Sequence, residues 1–131
     1  MSGLQLIRAA ELSADTAQTS GMARAAAISG ALTGSQGLWM GITRLPPATS
    51  SGDHHHGESE TGIYVVSGQP EFVFRDPEGG TLTRLAARPG DFVWVPPHVP
   101  HREENPSADN EAVVVIARTT QEAIVVNLSG L

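Results

Sequence analysis

The stretch GDHHHGESETGIYVVSG, Gly52 to Gly68, decides how this chain is read, together with PGDFVWVPPHVPHREEN, Pro89 to Asn105. His54 and His56 are one residue apart, so in an extended segment both imidazoles project from the same face. Glu60 follows within loop or strand reach. His101 lies beyond a second apolar run that has to fold back on the first. Three imidazoles and one carboxylate then converge, a donor set suited to a divalent transition metal such as Fe, Mn, Ni, Zn or Co. With four protein donors the ion keeps about one net positive charge and open positions for water or an anionic oxygen. His54, His56, Glu60 and His101 are therefore the expected metal ligands.

Working outward, 131 residues suffice for one domain with its own core, so no metal or disulfide is needed merely to fold the chain. Cysteine is absent, which excludes disulfides, thiolate ligands and cysteine nucleophiles. Lysine is absent too, since all 8 basic residues are arginines, and this removes Schiff-base chemistry and the lysine of a phosphate loop. A net charge of −6 without an arginine cluster argues against a nucleic-acid partner. No window approaches the roughly 18 apolar residues of a membrane span, and the N-terminus lacks the pattern of a secretory signal, so no membrane partner and a cytoplasmic location are expected.

Gly and Pro punctuate the sequence at short intervals, and the runs between them favour Val, Ile, Thr and aromatic residues, which points to an all-β sandwich or barrel. Short strands are expected at Leu4–Ile7, Leu38–Leu45, Ile63–Ser67, Glu71–Arg75, Thr81–Leu85, Asp91–Val95, Ala112–Ala117 and Ala123–Leu128. Arg24–Ile28 suits a helix or a strand equally. Gly68-Gln69-Pro70 is expected to join Ile63–Ser67 and Glu71–Arg75 as a hairpin, and Asp76 to Gly80 to turn the chain into the next strand. Ala112–Ala117 is apolar on both faces, so it belongs in the middle of the core or under a partner subunit. Trp94 and Phe92 share one strand face, opposite Val93 and Val95, and one of these pairs faces the cavity. The pair Glu103-Glu104 reads as solvated.

The two stretches resemble the paired motifs of the cupin superfamily. His54, His56, Glu60 and Gly68 match the first motif, and Gly90, Pro96, His101 and Asn105 match the second with its spacing. Three positions depart. Ala48 stands at the first motif's opening glycine, and His98 at the glycine of the second. Seven residues separate Glu60 from Gly68 where the family has six, and a one-residue excess turns Glu60 to the wrong face unless a bulge, expected at Gly62, absorbs it. Without that bulge a histidine-only site remains, and His55 becomes an alternative to His54.

The resemblance implies a double-stranded β-helix, the jelly-roll cupin barrel, over residues 1–131 as a single domain. An N-terminal extension of about residues 1–30 is then available to a homodimer. It implies a metalloenzyme for a small oxygen-rich organic acid, diol or sugar derivative, of oxygenase, isomerase or decarboxylase type. Glu60 and His98 are the catalytic candidates; Met40, Arg44, Phe72 and Trp94 are the candidates for the substrate pocket. Two other functions fit the same residues, a non-catalytic small-molecule binder or sensor and a structural dimer with adventitious metal. The metal a purified sample retains, and oxygen uptake with candidate acids, separate the three.

Overall fold

The computed structural model describes residues 3–121 and 123–131. Its strands are β1 (Ala23–Ile28), β2 (Trp39–Leu45), β3 (Thr49–Ser50), β4 (His54–His55), β5 (Thr61–Ser67), β6 (Glu71–Arg75), β7 (Leu82–Ala86), β8 (Phe92–Val95), β9 (His101–Asn105), β10 (Ala112–Arg118) and β11 (Val126–Asn127). A 3-10 turn at Ala9–Glu11 and a one-turn helix α1 (Gly30–Thr33) are the helical segments among the described residues. None is long and apolar enough to cross a membrane. One antiparallel sheet runs β1-β2-β10-β5-β8 and the other β11-β4-β9-β6-β7, with β3 pairing β9. This is the expected all-β jelly-roll.

Alternation along each strand divides the residues. On β2, Trp39, Gly41, Thr43 and Leu45 are buried; on β10, Ala112, Val114, Ile116 and Arg118 are buried. Trp39, Ile63, Val65, Phe72, Val95, Val114 and Ile116 form one apolar cluster between the sheets. Each fully buried aliphatic side chain contributes roughly 1.5–3 kcal/mol relative to exposure. β10 lies at the centre of its sheet, with Val113, Val115 and Ala117 half-buried on the outer face.

Several expectations are corrected. Leu4–Ile7 forms no strand, and Leu4 and Leu6 are exposed; backbone pairing of the N-terminal chain begins later, at the Ser13–Ala26 bridge. Arg24–Ile28 resolves as strand, paired to β2. Gly68-Gln69-Pro70 does not close a hairpin: β5 pairs β10 and β8, whereas β6 pairs β7 and β9, so the turn carries the chain from one sheet to the other. Gly68 has φ +80° there, and a Cβ on it would meet the Ala112 Cα at 2.7 Å, so this crossover admits only glycine. The last strand is confined to Val126–Asn127.

Asn105 closes the end of β9. Its side-chain amide donates to the carbonyls of Leu45, Pro46 and Asn110, and its Oδ1 accepts from the Ser107 amide. Four backbone groups of three segments are thus satisfied by one buried side chain.

Ala48 and His98, the two residues that replace motif glycines, are the non-glycine residues with positive φ among the described residues, at 54° and 63°. Both hold the left-handed geometry that glycine adopts without strain, at about 1 kcal/mol each. Ala48→Gly and His98→Gly are each expected to stabilise the fold by roughly 0.5–1 kcal/mol, raising Tm by about 2–4 °C. Thermal unfolding monitored by circular dichroism checks this; unchanged or lowered Tm contradicts it.

Candidate metal centre

The histidine stretch is positioned by backbone pairing between two distant segments: His54 on β4 lies directly across from His101 on β9. His54, His56 and His101 are all buried, with ring centroids 4.4–5.2 Å apart. One ring nitrogen of each lies within 4.8 Å of the others.

The orientation of each ring is fixed from behind. His54 Nδ1 faces the Gly52 carbonyl at 2.8 Å, His56 Nδ1 the Ile124 carbonyl at 2.9 Å, and His101 Nδ1 the Val99 carbonyl at 3.0 Å. A carbonyl only accepts, so each Nδ1 carries the proton and each Nε2 presents a lone pair. This is the arrangement in which histidines hold a metal, with the outer nitrogen anchored and the inner one basic. His101 Nε2 is buried with no hydrogen-bond partner among the described residues, which a ligated cation would supply. The donor set therefore fits a divalent transition metal. His55 points away, its Nδ1 accepting from the Gly57 amide, so it does not replace His54.

Glu60 is not part of this cluster. Thr61, Ile63 and Val65 face inward, and no bulge occurs at Gly62, which pairs regularly with Ala117 and Trp94. The register shift lies at the far end of the strand, between the Val65 and Ser67 pairings, where it cannot rotate Glu60 back inside. The Glu60 carboxylate is exposed and accepts from the Trp94 indole N–H at 3.0 Å. Thr61, separated from Gly68 by six residues, occupies the inward place.

The other candidates divide. An apolar cavity of about 250 Å³ opens beside His101, lined by Phe72, Phe74, Leu85, Val93, Val95 and Val99, with Trp94 at its edge. Phe72 and Trp94 thus border a cavity, and the inward pair on β8 is Val93 and Val95. Met40 and Arg44 lie on the opposite, outer face of β2, where Arg44 pairs with Glu111 at 2.9 Å. His98 is exposed on its turn, its amide bonded to the Gly57 carbonyl, outside both the cluster and the cavity lining. Neither catalytic candidate touches the histidines, since Glu60 misses by register and His98 by its position on an outer turn.

Three charged residues that the sequence did not suggest occupy the interior. Arg24, Glu103 and Arg118 are each no more than 2% exposed. Glu103 is not solvated: alternation from His101 places it on the same inner face, with Oε2 3.7 Å from His54 Nε2. Arg24 donates to Thr19 Oγ1 at 2.8 Å and reaches His54 Nε2 at 3.3 Å. Arg118 stacks on the Trp39 ring at 4.8 Å. Burial lowers the Arg118 pKa to about 9, so it stays charged at neutral pH.

Burial also depresses the His54 pKa from 6.5 to about 4, the Glu103 carboxylate partly opposing this. His56 shifts further in the same direction, through burial and then repulsion by Arg118. Both rings are neutral when folded, while an unfolded histidine takes up a proton below pH 6.5. The unfolded state then binds more protons, so stability falls as pH drops from 6.5 towards 4. Urea unfolding of metal-free protein is expected to lose on the order of 2–4 kcal/mol between about pH 7.5 and pH 5; stability independent of pH over that interval contradicts the assignment of neutral rings.

A cupin domain model matches residues 41–117. No curated protein matches the chain. Among solved structures, oxalate oxidase in complex with the substrate analogue glycolate is similar at TM-score 0.72 and 20% identity, over 88% of this chain and 59% of that one. Oxalate decarboxylase from Bacillus subtilis is similar at TM-score 0.75 and 19% identity, over 87% of this chain and 29% of that one. Peruvianin-I, a cysteine peptidase from Thevetia peruviana latex, is similar at TM-score 0.74 and 15% identity, over 88% of this chain and 74% of that one. The chain therefore spans little more than half of the oxidase and under a third of the decarboxylase, and at these identities the likeness is one of fold. With the matched model covering more than half of its residues, and the two histidine segments meeting inside the two-sheet fold, the chain belongs to the cupin family.

Proposed function

We propose that the protein binds one divalent transition metal through His54, His56 and His101, and is a metalloenzyme acting on a small organic acid. The observation that carries this is the set of three buried rings, each anchored by Nδ1 to a backbone carbonyl with its Nε2 turned to a common point. A bound ion would supply Lewis acidity and, for iron or manganese, redox chemistry. The chain supplies the rest. The backbone carbonyls fix the ring tautomers, the apolar walls at Phe72, Val95 and Val99 exclude water, and Glu103 provides negative charge beside His54. Arg24 donates to the lone pair that His54 would offer a metal, so arginine and metal compete for one nitrogen. Bacillus subtilis oxalate decarboxylase, similar in fold, is described with Mn(II) centers. That makes Mn, Fe, Ni, Co and Zn the ions to compare.

His56→Ala is expected to lower metal affinity by at least 10-fold with the fold intact, whereas Glu60→Gln leaves it within about 2-fold. Inductively coupled plasma mass spectrometry and metal titration on protein purified without a histidine tag check both. Equal retention by His56→Ala and wild type contradicts the site, and loss in Glu60→Gln restores the carboxylate to it.

We further propose a homodimer formed through the outer face of the five-stranded sheet. Ile42, Val115, Tyr64 and Phe92 make one cross-strand row there, and Phe92 and Trp94 are 77% and 62% exposed. Trp94 has its N–H satisfied by Glu60, leaving an apolar ring face outward. A two-fold axis would set this patch against its own copy, and a specific contact of about 800 Å² per partner covers such a face. Wild type is expected to sediment as a dimer and Phe92→Glu as a folded monomer; a monomeric wild type at micromolar concentration contradicts this.

A further inference from the structure

The two sheets do not close on each other along one side. β7 and β8 are the last strands of their sheets, and β7 buries none of its five residues while β8 has only four. The gap between these edges is the cavity of about 250 Å³ beside His101. Phe72, Val95 and His101 in its lining are buried, whereas Leu85 and Trp94 at its rim are 45% and 62% exposed. Phe74 lies directly across from His101 in the pairing of β6 with β9, so the two rings share one face of the sheet.

Apart from His101 and the Trp94 indole N–H, the lining side chains are hydrocarbon. Both polar groups are engaged elsewhere: His101 Nδ1 faces the Val99 carbonyl, its Nε2 is buried and turned to the other two histidines, and the Trp94 N–H goes to Glu60. A charged or polyhydroxylated molecule entering here would lose its hydration with no side chain to replace it. An apolar molecule gains instead, through the removal of its surface from water. Half of the chain's aromatic residues, Phe72, Phe74 and Trp94, border this one space. Aromatic rings pack against one another edge-to-face or offset, a preference that adds to area alone. An apolar cavity of roughly 150 Å³ holds benzene. A space of about 250 Å³ therefore suits a benzene ring with a short substituent or a second fused ring.

We propose that this gap is a binding site for a small uncharged aromatic molecule, its ring seated between Phe72, Phe74 and Val95 with the His101 ring as one wall. The site goes beyond the metal centre and needs no ion, although His101 is common to both places. A carboxylate has no partner among these walls, so an acid enters the gap only by an apolar ring.

The test is a methyl-resolved NMR titration of metal-free protein with toluene, benzoate and methylcyclohexane. Toluene is expected to move the methyl signals of Leu85, Val95 and Val99 and to leave those of Met22 and Leu45, which pack in a separate cluster, unmoved. It is expected to bind about 10-fold or more tighter than benzoate, a ring of similar size carrying a charge. Its advantage over methylcyclohexane, alike in size but not aromatic, is expected to be about 3-fold. Leu85→Glu brings a carboxylate to the exposed rim and is expected to weaken toluene about 5-fold or more. Phe74→Leu is expected to erase the advantage of toluene over methylcyclohexane, and Leu85→Glu keeps the site testable should that variant fail to fold. No movement of the Leu85, Val95 and Val99 methyls at saturating toluene overturns the proposal. So does benzoate or methylcyclohexane binding as tightly as toluene, or folded Leu85→Glu binding toluene as wild type does. The titration uses metal-free protein, so its failure and the failure of the metal centre, read from metal retention in wild type and His56→Ala, give different results.

Discussion

Side-chain alternation is the constraint on which this structure depends. Two antiparallel sheets face each other, and every second residue of β2 and β10 enters the space between them. The same rule builds core and site together. On β10 it buries Ala112, Val114 and Ile116 and then Arg118; on β9 it buries His101, Glu103 and Asn105. One end of the interior is oil and the other is a cluster of imidazoles and charges, with no change in backbone geometry between them. Stability comes from the apolar end, where Trp39, Ile63, Val65, Val114 and Ile116 are almost wholly removed from water. The polar end draws on that stability, because its orphaned nitrogens and its neutral, buried histidines oppose folding.

The three rings at the polar end are anchored by backbone carbonyls. His54 and His101 are each held by a carbonyl two residues away, Gly52 and Val99, and His56 by the Ile124 carbonyl of the C-terminal segment. Rings held this way meet a cation without rearranging, which favours binding because little order remains to be imposed. Arg24 is the exception, since it shares the His54 lone pair and feels the Glu103 charge. Competition between a guanidinium and a metal for one nitrogen couples the charge state of this interior to its ligands.

Much of the fold was legible from spacing alone. The strand limits at β2, β6 and β10 follow from Pro, Gly and alternation, and His54, His56 and His101 follow from the two motif-like stretches. Sheet membership was not legible. Gly68-Gln69-Pro70 reads locally as a hairpin turn, and only the pairing of β5 with β10 reveals that the chain changes sheets there. The fate of Glu60 was legible as a conditional, one residue too many before Gly68; the bulge exists, but at the wrong end of β5 to matter. Glu103 was readable by counting two from His101, a count masked by the neighbouring Glu104, which does reach the surface ions Arg84 and Arg102. Arg24 and Arg118 were hidden because arginine in a short strand ordinarily marks the solvent face, and only the inward phase of Ala26 and Ile116 two residues away contradicts that. Ala48 and His98 show the converse: non-glycine residues at motif glycine positions hold a positive φ.

The most direct measurement is a crystal structure of protein grown with Mn(II) or Fe(II), with diffraction recorded across the metal absorption edge. One anomalous peak is expected inside the barrel, about 2.0–2.3 Å from the Nε2 atoms of His54, His56 and His101, with Glu60 still on the outer surface against Trp94. A peak ligated by Glu60, or no interior peak at full metal saturation, would contradict it.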